Sequence, residues 1–494
     1  MKLKLLGPPG TGKTTRLMQL MEKELANGTP SKKIAFLTFT RAAREEALSR
    51  TGKTEQEFPY LRTIHSICYR QMSITQDQIV KPKLLRGFGN KIGCRLNGNN
   101  FEPWIEEFER SFQPETKDDL LMQVNHCGRH RGKLLKEALE DSYLEIDYKY
   151  AVWFTKAYRH WKTSQGLLDY TDLLTFYLES GRPLDIDVIF IDEAQDLSLL
   201  QWEVVNKLGS KAQRHYIAGD DDQAIFNWAG ADSSAFQNLE VSQTMLLDQS
   251  FRLSKAIHNS AQKISSRIKN RIPKEYKPTY EDGIVKSIGY FDIDDFSEKT
   301  FVLFRHHYRG RDIADKLKEE GIPYIGWGSP LLELDVRMAL QSWYKLFKTG
   351  EVEPKGLKKI LKYSEDDFLK FNLEDLVKSQ SPIKISDIFI NQMKWQDWDR
   401  VMTKVPGKET IKQFVKQAGF KLTAKPKTEL MSIHQSKGKE AHTVIIDTEI
   451  SRITYETMLR HPDDEHRCWY VGVSRASHRI FPLMYEGHYS YIID

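Results

Sequence analysis

Gly7-Pro8-Pro9-Gly10-Thr11-Gly12-Lys13-Thr14 combines glycines, a lysine and a hydroxyl at a spacing suited to holding the phosphates of a nucleotide. In such a loop backbone N–H groups cradle phosphate oxygens at a helix N-terminus, here the helix opening at Thr15. Lys13 then reaches the β and γ oxygens, and the Thr14 hydroxyl binds Mg²⁺. A plain glycine turn would explain neither Lys13 nor Thr14. A second chemical pair, Asp192-Glu193, ends the apolar run 188–191. Two carboxylates at the end of a buried strand can divide the work, Asp192 holding Mg²⁺ through water and Glu193 orienting or deprotonating the attacking water. Alone, the acidic pair reads equally as a helix cap. With the loop at 7–14 it points to nucleoside triphosphate hydrolysis.

Both motifs need buried strands to carry them. Short apolar runs at 2–6, 34–39, 188–191, 216–218, 301–304, 443–447 and 479–484 alternate with longer helical patterns, the signature of an α/β fold with parallel strands. Between them, 69–166 carries aromatics at helical spacing (Trp104, Phe108, Phe112; Tyr150, Phe154, Tyr158, Trp161), and 331–427 reads as mostly helical, broken by Pro354, Pro382 and Pro406. The expected layout is two α/β cores, 1–70 with 165–240 and 241–330 with 428–494. Each is interrupted by a mainly helical insertion, 71–164 and 331–427.

Composition narrows the class. With 494 residues, 40% hydrophobic, 29% charged and 11% aromatic, the chain is neither a disulfide scaffold nor disordered. A net charge of +5 permits a nucleic-acid partner without demonstrating one. Cys68, Cys94, Cys127 and Cys468 form no CxxC pair, which suits reduced thiols. No apolar run approaches the ~18 residues of a membrane span, and residues 1–6 run into the glycine turn, leaving no room for a signal peptide. No membrane partner is expected, and the expected location is cytoplasmic, a nucleoid or host-cell cytoplasm included.

Asp192-Glu193-Ala194-Gln195-Asp196 and Ala218-Gly219-Asp220-Asp221-Asp222-Gln223-Ala224-Ile225-Phe226-Asn227-Trp228-Ala229-Gly230-Ala231 resemble motifs II and III of the UvrD/Rep helicases of superfamily 1A. Thr38-Phe39-Thr40-Arg41-Ala42-Ala43 is similar to motif Ia and Thr63-Ile64-His65-Ser66 to Ib. Leu247-Asp248-Gln249-Ser250-Phe251-Arg252 is similar to IV, and Val302-Leu303-Phe304-Arg305 to IVa. Ile433-His434-Gln435-Ser436-Lys437-Gly438-Lys439-Glu440 is similar to V, and Tyr470-Val471-Gly472-Val473-Ser474-Arg475-Ala476 to VI. The resemblance covers most of the chain and implies two RecA-like domains. It also implies that Gly7 to Thr15, Phe251 (against adenine) and Glu440 (near the ribose) bind ATP, with Thr14 and Asp192 on Mg²⁺. Gln223 would sense the γ-phosphate, and Arg252 and Arg475 would serve as arginine fingers beside Glu193. Guanidinium groups from a separate domain stabilise a γ-phosphoryl transition state only when the cleft closes, which couples chemistry to motion.

For nucleic acid, the resemblance sets Phe39, Thr40, His65, Phe226, Trp228 and His434 along single-stranded DNA. Aromatic faces grip any base while cations track phosphates. Phe39, ending a strand, reads also as core; Trp228, in a polar loop, has little packing reason to be there. Arg305 is a phosphate-backbone candidate, and Tyr489 and Tyr491 read either as a stacking face or as a docked terminal segment. The segment 125–133 (Asn-His-Cys-Gly-Arg-His-Arg-Gly-Lys) reads as a basic loop, with a solvated patch touching duplex DNA, a zinc site and a purely structural role all open.

The sequence departs from the family pattern in places. The phosphate loop begins at Gly7, leaving no room for an upstream glutamine that reads adenine, so weak discrimination between ATP and GTP is expected. Ala229 replaces the usual motif III arginine. About twenty residues follow Arg475, so no fused nuclease domain is expected. The combined expectation is an Mg²⁺- and ATP-dependent 3′→5′ translocase and helicase acting on single-stranded DNA and single-strand/duplex junctions, with a nuclease, replication or repair factor open as a protein partner. Two rivals are the ATPase subunit of a nuclease or defence assembly and a nucleotide-gated binding module.

Overall fold

The computed structural model describes residues 1–38, 48, 52, 54–98, 116–142, 144–289, 298–328, 333–370, 373–378, 381–409, 411–412, 415, 426–484 and 489–493. Phe39 and Thr40 lie outside the described residues, as do Trp104, Phe108 and Phe112.

The first sheet takes strands β1 (Lys2–Leu6), β2 (Ile34–Thr38), β3 (Leu61–Thr63), β4 (Val188–Ile191), β5 (Arg214–Gly219) and β6 (Gln243–Leu246). They are all parallel, in the order β3-β2-β4-β5-β1-β6. Strands covered on both faces read as unbroken apolar runs, and β2 and β4 are buried at every position. Rings of three neighbouring strands stack across the sheet, Phe36 on Phe190 at 5.7 Å and Phe190 on Tyr216 at 4.8 Å between centroids.

The second sheet is built from β7 (Ile284–Val285), β8 (Thr300–Phe304), β9 (Tyr324–Gly326), β12 (Thr428–Ser432), β13 (Ala441–Asp447) and β14 (Ala476–Leu483), again all parallel, in the order β7-β14-β13-β8-β12-β9. The two parallel-sheet units make a duplicated RecA-like fold, as expected from the sequence.

Both insertions have their own cores. Helices Pro82–Ile92, Lys117–His130, Leu135–Ser142 and Tyr148–Gln165 pack around Phe88, Leu121, Phe154 and Tyr158. The second insertion packs helices Leu334–Thr349 and Pro354–Tyr363 around Trp343, and adds a small antiparallel pair, β10 (Glu351–Val352) with β11 (Ile383–Lys384), that helical spacing did not reveal. The segment 125–133 is largely helix rather than loop: Thr116 and Asp119 form a capping box that starts Lys117–His130, and His126 and His130 lie on its buried face. Its charge is also spent internally, since Arg129 pairs with Asp169 at 2.9 Å and Asp172 at 2.5 Å. Among the described residues no helix is long and apolar enough to cross a membrane.

Candidate nucleotide cleft and nucleic-acid trough

Strand order decides what meets at the cleft. β4, β5, β1 and β6 are neighbours, so their C-terminal ends deliver Asp192-Glu193, Asp220 to Gln223, Gly7 to Thr14, and Phe251-Arg252 to one rim, the edge where open α/β sheets bind ligands. Gly10 and Gly12 hold φ near +74° and +77°, conformations that a side chain would strain. At Gly7 the constraint is space, because an added Cβ would come within 1.9 Å of Lys13 Cγ. Lys13 Nζ donates to the Gly7 carbonyl at 2.7 Å, and Thr14 Oγ1 donates to Asp192 Oδ2 at 2.6 Å. A hydroxyl on the phosphate loop beside a carboxylate at the end of β4 suits Mg²⁺, which prefers one or two protein oxygens plus phosphate and water. Among the described residues no group of three or more His, Cys, Asp or Glu could hold a metal unaided.

Glu193 has φ 51°, a left-handed conformation costing a non-glycine residue about 1–2 kcal/mol. Its Oε2 accepts from Gln195 Nε2 at 2.6 Å. The two carboxyls are pushed apart electrostatically. Burial and then the Glu193 charge raise Asp192. Burial also works to raise Glu193, but Lys13, Lys437, the Gln195 amide and Arg475 outweigh it and hold it below its ordinary value. Glu193 is therefore the better-ionised partner, as a base at neutral pH requires.

The other wall comes from beyond the first sheet. Arg475, only 2% exposed, donates from Nη2 to Gln223 Oε1 at 2.9 Å, joining residues 252 positions apart. Burial and then Arg252 oppose its charge. Arg252 donates from Nε to Glu440 Oε2 at 2.6 Å, and Phe251, 77% exposed, is tied by its backbone N–H to the Gly10 carbonyl at 2.9 Å. Sequence reasoning missed Lys437, although it stands in a quoted segment. Its Nζ meets Asp196 Oδ2 at 2.5 Å and the Gln223 carbonyl at 2.6 Å, bridging the two sheets beside Glu193.

A trough adjoins the cleft. Phe226, Trp228 and His434 form a triangle of rings, with centroids 6.1 Å apart for Trp228–His434, 6.4 Å for Phe226–Trp228 and 6.5 Å for Phe226–His434. His434 and Arg305 follow the C-terminal ends of the adjacent strands β12 and β8. A cavity of about 310 Å³ is lined by Trp228, Arg305, His434, Ile453, Met458 and Glu465. Arg305 is not an unopposed cation there, because its guanidinium grips Glu465 at 3.0 to 3.2 Å. A second cavity of about 350 Å³ also reaches Trp228 and is lined from the first insertion by Gln123, Cys127, Arg131 and Lys133. From that side Cys127 Sγ donates to the Trp228 carbonyl at 2.7 Å and Arg131 donates to the Asn227 carbonyl.

His65 sits elsewhere: it is 8% exposed, edge-on to Tyr170, and close enough to His126 and His130 to interact electrostatically with both. Tyr491 is docked rather than presented, stacked on Trp469 at 4.7 Å with its hydroxyl 2.8 Å from His466 Nδ1.

A phosphate loop at the rim of one parallel sheet, faced by basic side chains from a second, defines the class of duplicated RecA-like nucleotide-binding proteins. Residues 1–244 match the family model of the UvrD/REP helicase N-terminal domain. The chain is 24% identical over 349 residues to the ATP-dependent DNA helicase PcrA of Staphylococcus aureus and 29% identical over 360 residues to that of Bacillus subtilis. These alignments cover 63% and 65% of this chain but 45% of each relative, so the chain spans less than half the length of the curated relatives it matches. The family match and these relatives together show homology to the UvrD/PcrA-like superfamily 1A helicases.

Proposed function

We propose that the chain hydrolyses ATP in the cleft when single-stranded DNA lies in the trough, and uses cleft closure to move 3′→5′ along the strand and part the duplex ahead of it. The observation that carries this reading is the Arg475–Gln223 hydrogen bond, which links a basic side chain beyond the first sheet to the rim holding the phosphate loop. Residues 7–15 hold the nucleotide, Phe251 offers an open face to the base and Glu440 stands on the ribose side. Thr14 and Asp192 would hold Mg²⁺, which when bound neutralises charge building on the phosphates. Glu193 takes the proton of the attacking water while Lys13, Arg252 and Arg475 oppose the negative charge spreading over the transferred phosphoryl oxygens. Trp228, Phe226 and His434 stack or line bases, with Phe39, Thr40 and Arg305 as further contacts; His65, expected from the sequence to join them, is buried against Tyr170 instead and is left out of the set. In domain terms, 1–70 with 165–246 form the first core, because β6 (Gln243–Leu246) pairs with β1 and moves the expected boundary at 240 past it; 247–330 with 428–494 form the second, and 71–164 and 331–427 are the insertions. The relatives named above are DNA helicases, which supports DNA as the strand.

The test is steady-state ATP turnover with single-stranded DNA, duplex DNA, single-stranded RNA or no nucleic acid, followed by unwinding of 3′- and 5′-tailed duplexes. Stimulation by single-stranded DNA and unwinding of the 3′-tailed duplex alone are expected. Turnover indifferent to nucleic acid would contradict the proposal.

A further inference from the structure

We infer that Lys274 is a positioning residue for Gln223, acting through Asp220 to decide which end of the Gln223 amide meets Arg475. The inference rests on the proposed ATP hydrolysis and adds to it a residue that none of the motifs above contains.

Lys274 lies in the segment between helix Lys255–Ser265 and β7, and its side chain is wholly buried. Its Nζ stands 3.0 Å from Asp220 Oδ1 and 3.1 Å from Asp222 Oδ2, and pairs with Asp221 as well. The same segment adds Arg271, which grips both oxygens of Asp222 at 2.8 and 2.5 Å, and the Ile272 N–H, which donates to Asp221 Oδ2 at 2.7 Å. Arg467, on the helix leading into Arg475, donates to the Asp221 carbonyl at 3.0 Å. Burying three carboxylates against two cations is a poor way to gain stability, because desolvation cancels much of the Coulomb attraction. What the cluster does is fix a geometry.

That geometry runs into the cleft. Asp220 turns Oδ1 to Lys274 and with Oδ2 accepts from Gln223 Nε2 at 2.7 Å; Gln223 Oε1 then accepts from Arg475 Nη2 at 2.9 Å. An ionised carboxylate only accepts and a guanidinium only donates, so the two ends together allow Gln223 one amide orientation. A donor at position 220, whether a protonated acid or an amide, permits the opposite orientation and aims the Gln223 NH₂ at Arg475, donor against donor. Burial works to protonate Asp220, and Lys274 is the foremost cation holding it ionised.

The experiment compares the full chain with Asp220→Asn, Lys274→Met and Lys274→Arg for thermal melting, and for kcat and KM of ATP on saturating single-stranded DNA. Asp220→Asn, nearly isosteric, should melt within a few degrees of the parent and keep KM within about threefold while kcat falls about tenfold or more. Lys274→Met should lose kcat in the same way, and Lys274→Arg should regain part of it. If Lys274→Met does not fold, Asp220→Asn decides alone. Unchanged kcat in folded Asp220→Asn overturns the inference and leaves the proposed function standing; no turnover in the parent chain overturns both.

Discussion

The cleft and the trough share one loop, in which Gln223 and Trp228 stand five residues apart, yet the two ends are held by opposite means. At the cleft end, side chains meet side chains: Asp220 on Lys274, Gln223 on Arg475, Asp196 on Lys437. At the trough end Trp228 and His434 are partly exposed, and it is the backbone that is held, with the Asn227 and Trp228 carbonyls taken by Arg131 and Cys127 of the first insertion. Phosphoryl transfer needs groups fixed to a fraction of an ångström. In the proposed cycle a base is bound and released at the ring, and holding the loop by its backbone suits a ring that must do both.

The largest effects are expected at the cleft. Arg475→Ala should lower DNA-stimulated turnover by about 10³, the low end for removing an arginine finger, with nucleotide-free DNA affinity unchanged. The Arg252→Ala/Arg475→Ala double variant should be far less than multiplicatively worse, because both act on one transition state. Independent losses, read from kcat in all four combinations, would assign the two arginines to separate tasks. Glu193→Gln should cost turnover about 10² while nucleotide binding survives, since Lys13, Thr14 and Asp192 remain; equilibrium nucleotide binding beside steady-state kinetics separates the two effects. At the trough, Trp228→Ala should weaken single-stranded DNA binding by about 1–3 kcal/mol and spare basal turnover. Unchanged affinity in the folded variant would return the ring to a packing role. Smallest is the hold on the loop backbone: Arg131→Gln should cost about 0.5–1.5 kcal/mol of DNA affinity with kcat at saturating DNA nearly unchanged, measured by titration.

The cleft was more legible in the sequence than the trough, for a physical reason. Phosphate loops and strand-end carboxylates are local patterns, and β1 and β4 appear at the residues expected. The short strands β3, β7 and β9, two or three residues long, carry too few positions to show a period. Segment 125–133 looked like a basic loop because its charges dominate the composition. The spacing of His126 and His130, four apart on one helical face, was the available signal, with the Thr116–Asp119 cap marking its start. No local pattern could show that Arg129 spends its charge on Asp169 and Asp172, 40 and 43 residues on. Lys274 carries no motif at all, and its meaning exists only where the fold brings three aspartates around it.

In the proposed function, cleft and trough are coupled through the loop that joins Gln223 to Trp228. This coupling is tested most directly by the ratio of ATP turnover with and without single-stranded DNA, in the parent chain and in Trp228→Ala. Strong stimulation is expected in the parent, and in Trp228→Ala the same basal rate with stimulation reduced even at saturating DNA. Equal stimulation in both proteins at saturating DNA, or none in the parent, would contradict it.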